Sequence, residues 1–308
     1  MNNKSIDLLV LPSIENIEAI VKDIPVNLTK AFYCNLEFRF KNNAASILYK
    51  GRDIKTFSLV WLSSYWATRD LATTVKLYLD SFNIPNTYVE QSTSKLTDNM
   101  NFVLNDIPSP DTYYIESTNV IAHVKDIEAT CGYPMIVKDT KGCHGVGSVF
   151  INSRKELIDC LKSNSQKKKF LFQKYILNEY DWGVLVANNK VVSAERSYAQ
   201  NGEFRNNVGA IEKFIDLNEV PEEIKDLAIK AGSTLGLSWS RSDIIIEKGT
   251  GLPFLLEVNR FPGITADSTE VNGAATFINN YLEMNNFKTN PAVSKEIVGI
   301  YDTDLLIS

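Results

Sequence analysis

The sequence predicts an α+β protein, a mixed α/β chain built as several lobes rather than one doubly wound sheet. Three observations carry this. Apolar runs suited to strands and amphipathic stretches suited to helices follow one another without strict alternation. The second half holds two tight-turn signals between apolar runs, Asn188-Asn189 and KGTGL at 248–252. At 308 residues, 44% hydrophobic and 22% charged, the chain is long enough for about two domains or three lobes and apolar enough to bury their cores.

Residues 6–11 (IDLLVL) and 57–62 (FSLVWL) read as buried strands. Residues 66–82 read as a helix with Leu71, Val75, Leu79 and Phe82 on one face. IPNTYVE then enters a strand after a turn. Together these make an N-terminal α/β domain, 1–92, that ends in the polar stretch Gln91–Thr93. A helix follows over 94–105, with Leu96, Met100 and Val103 apolar. IPSPDTYYI must turn and extend, because its prolines cannot sit inside a helix. Residues 120–130 read as a helix, and YPMIVKDTKGCHGVGSVFI as strand, glycine-rich turn, strand. SRKELIDCLKSN is a serine-capped amphipathic helix, and KKKFLFQKYI a buried strand ending at a hinge. This gives a central lobe, 93–175. The C-terminal lobe, 176–308, reads as a hairpin (DWGVLVANNKVVSAERSYA), a helix at 221–235, strands SRSDIIIE and PFLLEVN, and a last helix at 273–284 packing on that sheet.

Composition narrows the function. A net charge of −5 argues against a duplex nucleic-acid binder. No apolar run approaches the ~18 residues of a membrane span, and the first twenty residues lack a secretory cleavage pattern. Cys34, Cys131, Cys143 and Cys160 are scattered without a CxxC, and there are two histidines. That disfavours a zinc site, twin-cysteine redox chemistry and a His-dependent triad, and suggests reduced thiols in a cytoplasmic protein.

Two clusters can carry chemistry. In the first, Lys138 precedes Gly142-Cys143-His144-Gly145-Val146-Gly147. Backbone N–H groups of such a turn can approach phosphate oxygens, with lysine balancing their charge. It is not a Walker loop, and by itself it fits an ordinary glycine hairpin equally well. In the second, Asp243 and Glu257 can face each other on adjacent antiparallel strands, while Glu257 and Asn259, two apart, share a face. Their oxygens suit magnesium and, through it, phosphates. Strand-end polarity would explain Asp243 alone, but Glu257 interrupts an apolar strand, where a buried carboxylate needs a cation or donors.

The run from Lys95 to Glu283 resembles the ATP-grasp superfamily, most closely its RimK-like carboxylate–amine ligases. The matching pieces occur in order: SKLTDNMNFVLNDIPSPDT, YPMIVKDTKGCHGVG, FQKYI, GEFRNN, SDIII and LLEVNRFPGI. The resemblance implies an ATP-grasp fold behind a generic N-terminal pre-ATP-grasp domain, with ATP and two Mg2+ ions (Mn2+ as an alternative) as cofactors. Lys138 and Lys95 would contact the ATP phosphates. Gly142, His144, Gly145 and Gly147 would belong to the loop that closes over them. Gln173, Lys174 and Tyr175 would lie at the adenine hinge, and Asp181, or else Glu179, would hold the ribose. Arg205, with Asn207, would reach the γ-phosphate. Asp243, Glu257 and Asn259 would hold the metals, Glu257 bridging. Arg241 would stabilise a tetrahedral oxyanion. Arg196, Arg260, Ser64, Tyr65 and Arg69 are candidates for substrate contacts. Two departures stand out: Gly183 where arginine is usual, and His144 in a loop that seldom carries it; Arg260, among the substrate candidates, takes a position that is often small.

The reaction implied is ADP-forming ligation of a carboxylate to an amine through an acyl phosphate, with fixed cations stabilising the charge that gathers at transfer. A side-chain crosslinking peptide ligase and an ATP-grasp kinase are the alternatives. The partners expected are small-molecule or peptide acids and amines, with no nucleic acid and no membrane. A homodimer is a family expectation only.

Overall fold

The structure, a computed structural model, describes residues 6–88, 93–116, 119–139, 148–163, 170–199 and 211–287. It has the mixed α/β architecture expected. The described chain divides into two compact units. One gathers 6–63, 70–88 and 263–287, the other 64–69 and 93–262.

In the first unit the chain runs through β1 (Ile6–Leu11), the one-turn helix α1 (Ile17–Ile20), β2 (Val26–Lys30), β3 (Leu36–Lys41), β4 (Ala44–Tyr49), β5 (Arg52–Asp53) and β6 (Leu59–Leu62). Strands β2-β1-β6 form a parallel sheet, and β3-β4-β5 a separate antiparallel one. Leu8 to Leu11 and Leu59 to Leu62 are all buried, the unbroken apolar run expected of parallel strands covered on both faces. Helix α2 (Arg69–Ser81) follows a short 3-10 turn, Trp66–Thr68. Its buried stripe is Ala72, Val75 and Leu79. Phe82, expected on that stripe, lies past its end, 45% exposed, against the edge of Tyr78. Past α2, the described residues of IPNTYVE, 84–88, contribute a single bridge, Asn86 to Val60, rather than a strand.

The C-terminal helix, Thr269–Met284, belongs to this unit. The expectation that it packs on the C-terminal sheet is therefore corrected. Its stripe of Ala274, Phe277, Ile278 and Leu282 is buried, and Phe277 meets the Trp61 ring of β6 at 5.4 Å. The helix-facing side of the C-terminal sheet is already covered by another helix, described next.

The second unit contains two antiparallel sheets. Helix α3 (Lys95–Leu104) is capped by the Ser94 side chain, which accepts from Thr97 N–H. Then come β7 (Thr112–Tyr114), α4 (Val124–Cys131), β8 (Met135–Asp139), β9 (Val149–Ile151), α5 (Arg154–Ser163) and β10 (Phe170–Lys174), the strands ordered β7-β10-β8-β9. Met135, Val137, Ile151 and Phe172 bury one face of this sheet against α4 and α5. Ile136, Lys138, Leu171 and Gln173, mutually opposite across β8 and β10, project from the other face.

The second sheet comprises β11 (Asp181–Ala187), β12 (Lys190–Tyr198), β13 (Ile211–Phe214), β14 (Trp239–Ile246) and β15 (Pro253–Asn259), ordered β13-β12-β11-β14-β15. Asn188 and Asn189, with φ of 48° and 61°, make the expected tight turn between β11 and β12. Helix α6 (Glu222–Thr234) covers one face, where Ile224, Leu227, Ala228 and Ala231 pack with Trp182, Val184, Ile244, Leu255 and Val258. Gly232 permits this close approach, since a Cβ there would lie 3.0 Å from Ser240 Oγ. A division of this unit into lobes near residue 175 stays a proposal from the sequence.

Candidate active site

The face of the second sheet opposite α6 carries a row of polar residues. Directly opposed antiparallel partners project together. The register aligns Glu195 (β12), Gly183 (β11), Asp243 (β14) and Glu257 (β15) across four strands. The register shifts between Asp243 and Ile244: Asp243 pairs with Glu257, Ile244 with Leu255, and Leu256 between them has no partner. This bulge resets the alternation of β15, so that Leu255 faces α6 while Glu257 faces Asp243. Asn259, opposite Arg241, donates through Nδ2 to Asp243 Oδ2 at 2.9 Å. Its Oδ1 is thus the atom left to meet a cation.

The electrostatics join the two sheets. Burial, and next the neighbouring Glu257 charge, push the Asp243 carboxyl up to about 7, against the pull of Arg241. Burial, and next the Lys95 charge, lower the Lys138 ammonium to about 8, while Glu257, Asp181 and Asp243 hold it up. Lys138 of the first sheet and the acids of the second therefore share one field. Lys138 Nζ donates to Gln173 Oε1 at 2.7 Å, and Gln173 Nε2 to Thr112 Oγ1 at 3.1 Å. Lys95, at the first position of α3, donates to Glu257 Oε2 at 3.0 Å. A cavity between the sheets is lined by Lys95, Asp98, Lys138, Gln173 and Glu257 among others.

Other expected residues are placed as follows. Burial, and then the Asp181 charge, raise the Tyr175 phenol, which puts both near the cluster. The N–H groups of Lys174 and Tyr175 are already bonded to the Asp111 and Pro134 carbonyls, so neither is available to a base. Glu179, the ribose alternative, is exposed and pairs with exposed Lys248 at 3.0 Å. Arg196 is a correction. It opposes Trp182 on the α6 face, its guanidinium 4.4 Å from the Trp182 ring and 4.8 Å from Tyr180, so it does not point into the polar row. Arg260 is also corrected: it forks onto Asp98 rather than waiting for a substrate carboxylate. Arg241 shares the Asp243 face of β14 and pairs with Glu195 at 3.3 Å. Ser64 is buried and Tyr65 exposed, with its ring 6.5 Å from Phe261; Arg69 is buried over Trp66 at 3.6 Å. Gly142, His144, Gly145, Gly147, Arg205 and Asn207 lie outside the described residues.

Two buried acids at this site, Glu195 and Asp98, escaped the sequence reading. Glu195 fills the space Gly183 leaves: a Cβ on Gly183 would lie 2.7 Å from Glu195 Oε1 and 3.0 Å from its Cγ. Glycine inside a strand marks such close approaches, and that was the available signal. Asp98 lies one helical turn after Lys95, on the side of α3 opposite the apolar residues that had oriented the helix.

Among the described residues no group of three or more His, Cys, Asp or Glu side chains could hold a metal. The donor set here is instead two carboxylates and one carboxamide. A carboxyl held up to about 7 by burial, and next by a neighbouring carboxylate, lacks positive charge beside it, and hard oxygen donors suit Mg2+ or Mn2+. The residues fit such an ion.

The fold is that of ATP-grasp ligases. The VanG D-Ala:D-Ser ligase from Enterococcus faecalis matches with TM-score 0.68 and 15% identity over 92% of this chain and 100% of its own. The D-alanine–D-alanine ligase from Bacillus anthracis, solved with ATP, gives 0.64 and 17% over 92% and 99%. The ligase PsnB, solved with its minimal precursor, gives 0.60 and 17% over 90% and 99%. A family model described as the RimK-like ATP-grasp domain matches residues 94–281. A probable alpha-L-glutamate ligase of Aeromonas salmonicida (strain A449) is 30% identical over 235 residues, 72% of this chain and 76% of that protein. One from Enterobacter sp. (strain 638) is 33% identical over 156 residues, 47% of this chain and 50% of the relative. This chain belongs to the RimK-like family of ATP-grasp ligases, ADP-forming carboxylate–amine ligases.

Proposed function

We propose that the chain joins a carboxylate to an amine through an acyl phosphate, with L-glutamate as one of its two substrates. The observation that carries this is the convergence of Lys138 with Asp243, Glu257 and Asn259 in one unit, an ammonium facing an oxygen-donor set. The names of the curated relatives support glutamate. In the first step a carboxylate oxygen attacks the γ-phosphorus and ADP leaves. In the second the amine attacks the acyl carbon, phosphate leaves and the amine loses its proton. Lys138 and Lys95 hold the phosphates, Asp181 the ribose, and the Lys174–Tyr175 segment the adenine, through groups other than its two bonded N–H. Loop 142–147, Arg205 and Asn207 cover and grip the γ-phosphate. Asp243, Glu257 and Asn259 would hold two Mg2+ ions, Glu257 contributing to both, and the ions would supply charge neutralisation at the transferred phosphoryl group. Arg241, oriented by Glu195, faces the oxyanion of the second step. Ser64, Tyr65 and Arg69 are proposed substrate contacts.

The test is ADP and phosphate release with MgATP, L-glutamate and a panel of amine and peptide acceptors, with product mass as confirmation. Amine-dependent ADP release and an amide product are expected. Formation of AMP, or turnover indifferent to every amine, contradicts the reading. Glu257→Ala should abolish turnover and leave nucleotide binding measurable.

A further inference from the structure

Arg260 follows Glu257, Val258 and Asn259 directly. Its Nη1 and Nη2 donate to Asp98 Oδ2 and Oδ1, each at 2.7 Å, and Nη1 also donates to the Val258 carbonyl at 2.8 Å. The two side chains are 5% and 4% exposed. The Arg260 guanidinium carbon lies 5.0 Å from the centre of the Trp66 ring. Helix α3 thus meets the end of β15 twice, through Lys95 to Glu257 and through Asp98 to Arg260. The first contact is partly exposed and the second is enclosed.

Stability alone does not account for such a pair. Well-packed apolar residues in place of a buried ion pair are often neutral or stabilising. What the pair does supply is direction. The carbonyl it bonds belongs to the residue between the two proposed metal ligands of β15, so its peptide planes set where Glu257 and Asn259 aim. A lysine could not both fork onto a carboxylate and bond that carbonyl.

We propose that Asp98 and Arg260 are a positioning pair for the metal-binding end of β15, holding Glu257 and Asn259 in their ligating geometry. This rests on the metal reading of Asp243, Glu257 and Asn259 above. Support for ligands from residues behind them is typically worth 10–100-fold in metal affinity.

The test uses Mn2+ with AMP-PNP, read by water-proton relaxation on Arg260→Lys and on the double variant Asp98→Leu/Arg260→Met, with unfolding temperature measured beside it. The proposal expects affinity for Mn2+ to fall by about 10–100-fold in both variants, even where the double variant melts like the parent. Parental Mn2+ affinity in a folded variant overturns it. Should the double variant fail to fold, Arg260→Lys decides by the same criterion. Glu257→Ala separates the two layers. Lost Mn2+ binding there with parental affinity in Arg260→Lys removes the positioning role alone. Parental Mn2+ binding in Glu257→Ala removes the metal reading and this inference together.

Discussion

Asp243 and Lys138 bracket a narrow range of pH. Asp243 must shed its proton to face a cation, so metal–nucleotide binding should strengthen as pH rises through about 7. Lys138 must keep its proton to face a phosphate, so binding should weaken as pH climbs past about 8. The dissociation constant of Mn2+ with AMP-PNP, followed against pH, should be lowest between those values; a flat profile would contradict the shared field. Gly183 permits a second residue-level prediction. Gly183→Ala drives a methyl into Glu195 and should cost about 1–3 kcal/mol, the usual range for overpacking. In a Glu195→Ala background that cost should largely vanish, which urea unfolding of the four proteins would show. Thiols differ by burial in the same way. Burial pushes Cys131 up to about 11, whereas Cys34 is exposed. A thiol reagent at pH 8 should modify Cys34 in the native protein and reach Cys131 only on unfolding.

Among the elements, α4 and α5 are tied by Arg154, which pairs with Glu128 through both carboxylate oxygens, while the Tyr133 hydroxyl donates to Glu128 at 2.9 Å. The Arg154 bond foremost holds the Glu128 carboxyl down at about 2, from an ordinary value of 4.5. A lowered carboxyl stabilises the fold above its unfolded pKa and loses that contribution as pH falls through its folded one. The stability gap between the parent and Glu128→Gln should therefore be full above about 4.5 and close toward pH 2, as chemical denaturation at stepped pH would reveal. Other elements differ in how far local pattern announces them. Strands β1, β8, β10, β14 and β15 and helices α4, α5 and α6 follow from runs and periods in the sequence, because each buries one continuous or periodic face. Helix α3 shows where pattern misleads: Met100 and Val103, taken as its apolar side, are 57% and 65% exposed, and Asp98 with Phe102 is buried instead. Hydrophobic periodicity has no means of registering a carboxylate that a distant arginine has neutralised. The small β3-β4-β5 sheet also escaped notice, although LEFRFK of β3 alternates apolar and charged residues; its strands are largely exposed and β5 is two residues long.

At the scale of the molecule, two units are assembled from segments that interleave along the chain, the C-terminal helix returning to the N-terminal unit. Phe277 is fully buried there between Trp61 and Tyr281. Phe277→Ala should cost about 3–5 kcal/mol. Hydrogen exchange should quicken in β1, β2 and β6 while β11 and β14 keep their protection; an equal loss in both would mean that the units unfold as one.

By itself the sequence determined the class of fold, the oxygen-donor trio, the lysine that shares a cavity with Glu257 and the hairpin that brings Asp243 opposite it. Those features are written in residue types and short spacings, which local geometry converts directly into shared faces. Only the tertiary structure decided that Leu256 bulges to turn Glu257 inward, that Glu195 occupies the gap above Gly183, that Arg196 faces the helix and that Arg260 belongs to Asp98. Each of these depends on partners brought together across strands or from distant elements, Asp98 and Arg260 being 162 residues apart. Folding, not neighbourhood in the chain, gives such pairs their meaning.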